Sequence, residues 1–353
     1  MLTNKNLFFL IIQAQIGIGI LTLPNVLYSE VQQDAWISLL IAGAIAQVVI
    51  VILVRLGKVS VKENFYELSS NLLGKYLGRA LNICYVLYFI TFSMLLLILV
   101  SDVINVWILH RTPRWAVILL ILLAASYIAK EHLLTISKSF LVFSLLFVFL
   151  IVLLIIAYMQ DVHFGRLLPI PANEPLHILK SSPQAFVSLI GFEVILFIMP
   201  FLQKPAESLK VLSIANGFTV SLYLFLLITC IVYFSGDQIK LVNEPLLYLL
   251  RGLSFEHIER IDIIFLSFWI IPITTTLVVQ LFNASLGVQN LFSIGRSTSV
   301  YVIVGILFLL GMFPISNFIK DSLSSLMTYL NIIFIFFIPT LLLIIAKVKV
   351  YKG

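Results

Sequence analysis

The few residues of this sequence that could do chemistry interrupt long apolar segments. The motif GIGILTLP at 17–24 stands in one segment, and GFEVILFIMP at 191–200 stands in another. Because glycine weakens a helix and proline removes a backbone donor, both segments are predicted to break near these motifs. Broken backbone inside a membrane exposes amides and carbonyls that can bind the charged ends of a small molecule. The motifs therefore indicate ligand binding, and proline kinks used only for packing are the alternative.

Ten residues are candidate ligand contacts. Glu193 is ionisable in mid-segment, where a charge is costly, so we expect it to face the interior. It could be a neutral carboxyl joining helices, an acceptor for backbone amides freed in the first segment, or the receiver of a ligand ammonium. Thr276 and Gln280 share one helical face, which predicts either a cavity wall or helix-to-helix hydrogen bonds. The predicted ligand-binding residues are Gly17, Ile18, Gly19, Phe92, Ser93, Ile190, Gly191, Glu193, Thr276 and Gln280.

Other reactive residues form no recognisable catalytic or metal pattern. The five histidines all lie in connections, and Cys84 and Cys230, inside apolar segments, are expected to be small buried side chains. Asp102 is expected to reach the membrane surface or to cap the loop of Arg111 and Arg114. Since the sequence has no zinc pattern, phosphate loop or nucleophile elbow, we predict neither an enzyme nor a cofactor.

The elements that must position these residues are membrane helices. Hydrophobic residues make up 61% of the 353 residues and charged residues 11%, as in a polytopic membrane protein. Apolar runs near the membrane-spanning length of about 20 residues occupy 7–28, 35–56, 79–109, 114–129, 138–159, 183–202, 214–235, 262–283, 298–316 and 325–346. Residues 1–353 are thus predicted to form one polytopic, all-α membrane domain.

Two connections have helical character of their own. Residues 62–79 alternate apolar and charged residues with helical spacing, which is typical of a helix lying at the membrane surface. The connection 236–261 has an apolar stretch that could cover the mouth of a cavity or dock a partner.

Charge predicts the orientation. Fourteen of the 22 Lys and Arg residues fall in the connections on one side, which places both termini in the cytoplasm by the positive-inside rule. The net charge of +6 reflects this bias and gives no reason to expect nucleic acid as a partner.

If the ten segments are divided into two halves of five, roughly 1–160 and 181–353, the sixth segment is the counterpart of the first. Both carry an early glycine and a later proline, and matched interruptions are typical of transporter repeats. Because five is odd, the second half must have inverted topology. The pattern predicts a LeuT-like 5+5 inverted repeat with broken segments 1 and 6.

Several motifs, in order along nearly the whole chain, resemble one family. GIGILTLP at 17–24, DAWISLL at 34–40, RTPRW at 111–115, GFEVILFIMP at 191–200 and ERIDIIFLSFWI at 259–270 are similar to the GerAB-like spore germination permeases. These are the B subunits of endospore germinant receptors, within the amino acid–polyamine–organocation superfamily. The resemblance implies the inner spore membrane, a channel-like A subunit and a lipoprotein C subunit as partners, and detection of nutrients.

By this resemblance, the glycine motif falls on Gly17 and Gly19, the sixth-segment acid on Glu193 and the polar wall on Thr276 and Gln280. The predicted function is a membrane subunit that binds a small nutrient, a neutral amino acid such as alanine or valine, in a central cavity and signals to its partners. The alternative is an amino acid or polyamine permease that works by alternating access.

Overall fold

The computed structural model describes residues 1–253, 260–313 and 315–350, and these are mostly helical. The helices are α1 (Asn4–Gln15), α2 (Gly19–Val31), α3 (Ala35–Gly57), α4 (Phe65–Leu73), α5 (Lys75–Trp107), α6 (Arg114–Ala129), α7 (Leu133–Phe143), α8 (Leu146–Ala157), α9 (Pro175–Ser188), α10 (Ile195–Ile198), α11 (Ser208–Tyr233), α12 (Gly236–Leu241), α13 (Pro245–Gly252), α14 (Ile261–Phe292), α15 (Arg296–Gly311), α16 (Asn317–Asn331) and α17 (Ile338–Val350).

All ten predicted segments contain helix, and six helical stretches among the described residues are long and apolar enough to cross a membrane. A bent pair, Pro175–Ser188 with Phe192–Phe201, makes a seventh, while Arg114–Ala129 and Arg296–Gly311 are shorter apolar helices. This is the architecture of a multi-pass membrane protein. The number of ten crossings stays a prediction.

The first and sixth segments are broken as predicted, but the prolines do not mark the breaks. The chain between α1 and α2 covers 16–18, and Pro24 lies inside α2. The sixth segment turns by 60° at 189–191, whereas Pro200 lies in its last short helical turn. The glycines therefore determine the breaks. A single proline withdraws one donor, which the rest of its helix tolerates.

The centre of the bundle is formed by α1, α2, α9 and α14. α14 packs along α5, α6 and α1, while α11 packs on α3 and α1, and α9 on α3 and α2. Residues 272–288 of α14 are buried without interruption, so all faces of this helix meet protein there. A helix buried on every side can place polar groups inward without meeting lipid.

Two expectations from the sequence are wrong. The helix predicted over 62–79 is two helices, because an Asn64 capping box begins α4 and Gly74, at φ 84°, separates it from α5. Cys230 is buried, but Cys84 is exposed on α5. Composition could not show this, because the lipid-facing surface of a membrane helix is as apolar as its interior.

The bundle has two ends with different chemistry. At one end, which we call the basic end, Lys58 Nζ donates to the Ala206 carbonyl at 3.1 Å and Lys349 Nζ donates to the Leu72 carbonyl at 2.8 Å. Asp102, Lys320 and the α12–α13 connection lie at the opposite end, which we call the mouth end. Lys58 and Lys349 are two of the residues that the charge pattern assigned to one side, and the orientation of the bundle in the membrane stays a prediction. The part of the predicted 236–261 connection at 254–259 lies outside the described residues.

Candidate functional site

The first break exists because two glycines let α1 and α2 approach other helices. Helix α1 closes with the Ile16 amide donating to the Ile12 carbonyl at 2.9 Å. A Cβ at Gly19 would lie 2.7 Å from Cβ of Ser188, and a Cβ at Gly17 would lie 3.3 Å from Oγ1 of Thr276. The absence of side chains at these glycines brings the first break against both α9 and α14.

The second break packs directly on the first. Gly191 adopts φ 138°, and a Cβ there would lie 2.4 Å from the carbonyl carbon of Ala14. The Gln15 side chain donates from Nε2 to the Leu189 carbonyl at 2.9 Å and accepts from the Thr219 hydroxyl at 3.0 Å. Through these contacts a carbonyl freed by the second break is satisfied by a residue of the first.

Glu193 stabilises its own break. Its side chain is 3% exposed, and Oε2 accepts from the Gly191 amide at 2.7 Å. Gln280 Nε2 lies 3.4 Å from Oε1 of Glu193, at the long limit of a hydrogen bond. The carboxyl therefore accepts a hydrogen bond from a backbone amide that the break of the sixth segment leaves without a helical partner. Gln280 links the carboxyl to α14.

Helix α14 holds α1 through two adjacent threonines. Thr275 Oγ1 donates to Oε1 of Gln13 at 2.7 Å, and Thr276 Oγ1 lies 3.3 Å from the Gln13 carbonyl. The Gln13 amide in turn donates to the Ser144 hydroxyl at 3.2 Å, between α7 and α8. One fully buried glutamine thus joins the last turn of α1 to two other parts of the bundle.

A cavity of about 680 Å³ opens from the first break toward the mouth end. This volume is in the range of small-molecule sites, about 300–1,000 Å³. Its lining residues come from α1, α2, α5, α9, α14 and α16 and from the α12–α13 connection: Ala14, Gln15, Gly17, Ile18, Gly19, Thr22, Leu23, Asn25, Val26, Phe92, Leu95, Leu96, Leu99, Asp102, Val103, Gln184, Val187, Ser188, Ile190, Asn243, Glu244, Thr276, Asn317, Lys320, Asp321, Ser324, Met327, Thr328 and Asn331.

Charged residues collect at the mouth of the cavity. Asp102 forms ion pairs with Arg114, as its expected contact with the 111–114 loop suggested, and with Lys320 at 3.3 Å. Burial raises the pKa of Glu244 above its ordinary value, against the opposing effect of Lys320. The polar mouth and the mostly apolar interior suit a ligand that enters from water and buries an apolar part.

Six of the ten predicted site residues line the cavity: Gly17, Ile18, Gly19, Phe92, Ile190 and Thr276. The other four lie behind its wall. Gly191, Glu193 and Gln280 support the second break as described, and the Ser93 hydroxyl donates to the Phe89 carbonyl at 2.8 Å, within its own helix. The structure brings the two breaks and α14 together and leaves Ser93 apart from them.

Sequence reasoning missed the wall contributed by α16. Its lining residues Lys320, Ser324, Met327, Thr328 and Asn331 recur at helical spacing along one face. The predicted tenth segment began at 325 because the first turns of α16 are polar, so this face was divided between a connection and a helix. A polar stripe at that spacing was the available signal. Within the described ranges, no three His, Cys, Asp or Glu side chains are grouped so as to hold a metal ion.

The same arrangement of helices occurs in solved structures. The chain matches MhsT in complex with L-phenylalanine with a TM-score of 0.68, 14% identity and 97% of both chains covered. It matches a mutant of the manganese transporter of Eremococcus coleocola with a TM-score of 0.57 and 11% identity, covering 97% of this chain and 77% of that one. These likenesses show the fold alone. The LeuT-like fold predicted from the two interruptions is confirmed.

Sequence comparison gives the family. Residues 1–320 match the model of the family described as spore germination protein, and the chain belongs to that family. It is 26% identical to spore germination protein YndE of Bacillus subtilis over 352 residues, covering 98% of this chain and 96% of that protein. It is 27% identical to spore germination protein GerQB of Bacillus cereus over 348 residues, with the same coverage. The resemblance to spore germination permeases is therefore confirmed.

Proposed function

We propose that this protein is the membrane subunit of a spore nutrient receptor and that its central cavity binds a small amino acid-like germinant. The observation that carries the proposal is the meeting of two broken helices at one cavity, in a chain of the spore germination family. MhsT, which shares the fold, is in complex with L-phenylalanine, and this supports an amino acid as the ligand. The fold does not decide between a receptor and a permease, because the same cavity serves both.

The two breaks differ in a way that orients the ligand. At the second break, the Gly191 amide is already bonded to Glu193. At the first, α2 begins after Ile18, whose apolar side chain cannot cap a helix. The Leu21 amide donates to the Ile18 carbonyl at 3.0 Å, and the amides of Gly19 and Ile20, which have no backbone acceptor among the described residues, are available to a ligand. The ligand carboxylate is placed at this amino terminus, where amide donors and the helix dipole favour a negative charge. The ammonium group lies toward the carboxyl ends of α1 and α9, where carbonyls predominate.

The predicted site residues then divide into two roles. Gly17, Ile18, Gly19, Phe92, Ile190 and Thr276 contact the ligand. Gly191, Glu193 and Gln280 act as positioning residues that hold the second break, and Ser93 supports α5 behind Phe92.

Signalling requires that the ligand bind one conformation of the bundle more tightly than another, since a ligand without differential affinity shifts no equilibrium. In this proposal, closure of the cavity biases a channel-like A subunit, with a lipoprotein C subunit in the same complex. The basic end faces the cytoplasm, with both termini, and the mouth end receives the nutrient at the inner spore membrane. The chain acts as a single membrane domain built from two half-repeats, about 1–160 and 181–353.

The test is a nutrient dose-response of spores that carry Thr276→Val. The substitution keeps the shape of the side chain and removes a hydroxyl that lines the cavity. Loss of one hydrogen bond of about 1–1.5 kcal/mol should raise the half-maximal nutrient concentration about 5–10-fold at equal protein level. Thr91→Val is the matched control, because its hydroxyl bonds the Leu87 carbonyl on the exposed side of α5. Equal responses in both variants would remove Thr276 from the site.

Uptake measurements distinguish the receptor from the permease. Purified protein in vesicles should bind a labelled germinant without accumulating it. Accumulation that depends on a substrate or ion gradient would show that the cavity serves transport.

A further inference from the structure

Asn331, at the end of α16, uses the oxygen but not the nitrogen of its side-chain amide for hydrogen bonding within the described residues. Asn331 is 1% exposed, and its Oδ1 accepts a hydrogen bond from the Tyr88 hydroxyl at 2.9 Å. Its Nδ2 has no acceptor among residues 1–253, 260–313 and 315–350. Asn331 is one of the residues that line the cavity. Because a buried amide donor without an acceptor is costly, an unused donor in such a residue indicates a ligand group that accepts from it.

The neighbouring aromatic residues fix which way this amide faces. Tyr88 stacks on Phe334 with ring centroids 4.8 Å apart and planes 12° apart. The Phe334 carbonyl accepts from the Tyr85 hydroxyl at 2.7 Å. Phe334 belongs to a π-helical turn, Ile332–Phe337, that begins directly after Asn331, and such turns are frequent at functional sites. The turn and the two tyrosines hold Asn331 in one orientation.

Asn331 and its neighbours form a second polar region of the cavity, separate from the first break. One turn earlier on the same helix, the Thr328 hydroxyl donates to the Ser324 carbonyl at 3.1 Å, which leaves its oxygen able to accept. Met327 and Phe92 are apolar neighbours on the lining. This region therefore offers one donor and one acceptor beside apolar surface, without an ionised side chain among these four residues.

We propose that Asn331 is a specificity-determining residue that binds the ligand's side chain through a neutral hydrogen-bond acceptor. This inference rests on the proposed function, in which the zwitterionic part of the ligand lies at the first break. The complementary ligand is a neutral amino acid with a carboxamide or hydroxyl side chain: its oxygen accepts from Nδ2 of Asn331, and its N–H or O–H donates to Thr328. A purely aliphatic side chain leaves the buried donor unsatisfied, so the small aliphatic amino acids expected from the sequence fit this region less well.

Isosteric ligand pairs test the proposal on the full-length protein in detergent. Ligand-induced shifts in melting temperature are titrated with asparagine against leucine and with threonine against valine. We expect the polar member of at least one pair to bind about tenfold more tightly, as for one hydrogen bond to a buried donor. Asn331→Leu removes the donor and should abolish that preference.

Two further variants separate a specific contact from a structural role. Tyr88→Phe releases Oδ1 of Asn331 and should reduce the preference while leaving the binding of the aliphatic member unchanged. Asn71→Leu, an exposed position at the basic end whose side chain donates to Glu63, should keep the wild-type preference.

Equal wild-type affinities for the two members of both pairs would overturn the role of Asn331 and leave the central cavity in place as a ligand site. A preference that persists in Asn331→Leu would overturn it as well. If none of these ligands shifts the wild-type protein, the proposed amino acid site fails, and this inference fails with it.

Discussion

At the scale of single residues, the site depends on glycines that let backbones touch. Gly191 combines a positive φ of 138° with a position where a Cβ would lie 2.4 Å from the backbone of Ala14. Backbone atoms cannot move aside as the end of a side chain can. Any larger residue at this position therefore suffers both backbone strain and steric overlap. Gly217 meets nothing within 4 Å of a Cβ and lies on the exposed face of α11.

Gly191→Ala should therefore destabilise the protein by roughly 3–5 kcal/mol, through strain plus steric overlap. Gly217→Ala should leave stability unchanged or raise it slightly, because alanine favours helix by up to about 1 kcal/mol. Melting temperatures of the two purified variants decide the comparison. A melting temperature for Gly191→Ala within a degree or two of the Gly217→Ala value would show that the close contact between the breaks is wrong.

At the scale of elements, the breaks were predictable and their exact positions were not. Gly17, Gly19 and Gly191 marked the right segments, but Pro24 and Pro200 suggested breaks extending several residues too far. Helix α2 continues through Pro24 because its other hydrogen bonds remain, whereas the glycines are required by contacts with α9, α14 and α1 that no local pattern reveals. Glu193 was expected to face the interior, and sequence alone could not show that its partner is Gly191 two residues away.

The two breaks are joined by Gln15, which is 2% exposed. Gln15→Leu leaves the Leu189 carbonyl without its donor, whereas Thr219 keeps its bond to the Ala215 carbonyl at 3.1 Å. The expected loss of stability is about 1–3 kcal/mol, the cost of a buried unsatisfied group. Gln47→Leu is the control, since on a half-buried surface of α3 it removes a bond to Ser213 and a long 3.5 Å contact with Asn216, which keeps its bond to the Gly43 carbonyl. Equal melting temperatures for the two variants would contradict a bond between the breaks.

At the scale of the whole molecule, the cavity combines residues from distant parts of the chain. Asp102 and Lys320 are 218 positions apart, and Asn331 meets Tyr88 across 243 positions. Composition and matched interruptions could predict the fold class and the region of the site, because both follow from local chemistry. The sequence could not show that α16 forms a wall of the cavity, because its polar face can be recognised as a wall only once α5 is known to lie opposite it.

The mouth of the cavity should give the protein a pH-dependent stability. Burial raises the pKa of Glu244, so ionising it costs more in the folded than in the unfolded state. Its contribution to stability is largest below the ordinary glutamate pKa of about 4.3 and declines as the pH rises toward the raised value. Glu244→Gln should lack this pH-dependent contribution, so its melting temperature should fall less than that of the wild type over the same pH interval. Parallel pH profiles for wild type and variant would exclude the effect.

The central claim is that a small ligand binds where the two breaks meet, and Gly17→Leu tests it most directly. A Cβ at this position already approaches Thr276 to 3.3 Å, so the larger side chain occupies the cavity floor. Calorimetric titration of the purified protein with a panel of neutral amino acids should give saturable binding to the wild type and none to Gly17→Leu. Gly305→Leu, placed where a Cβ meets nothing within 4 Å, should bind as the wild type does. Binding to Gly17→Leu with wild-type affinity would contradict the account.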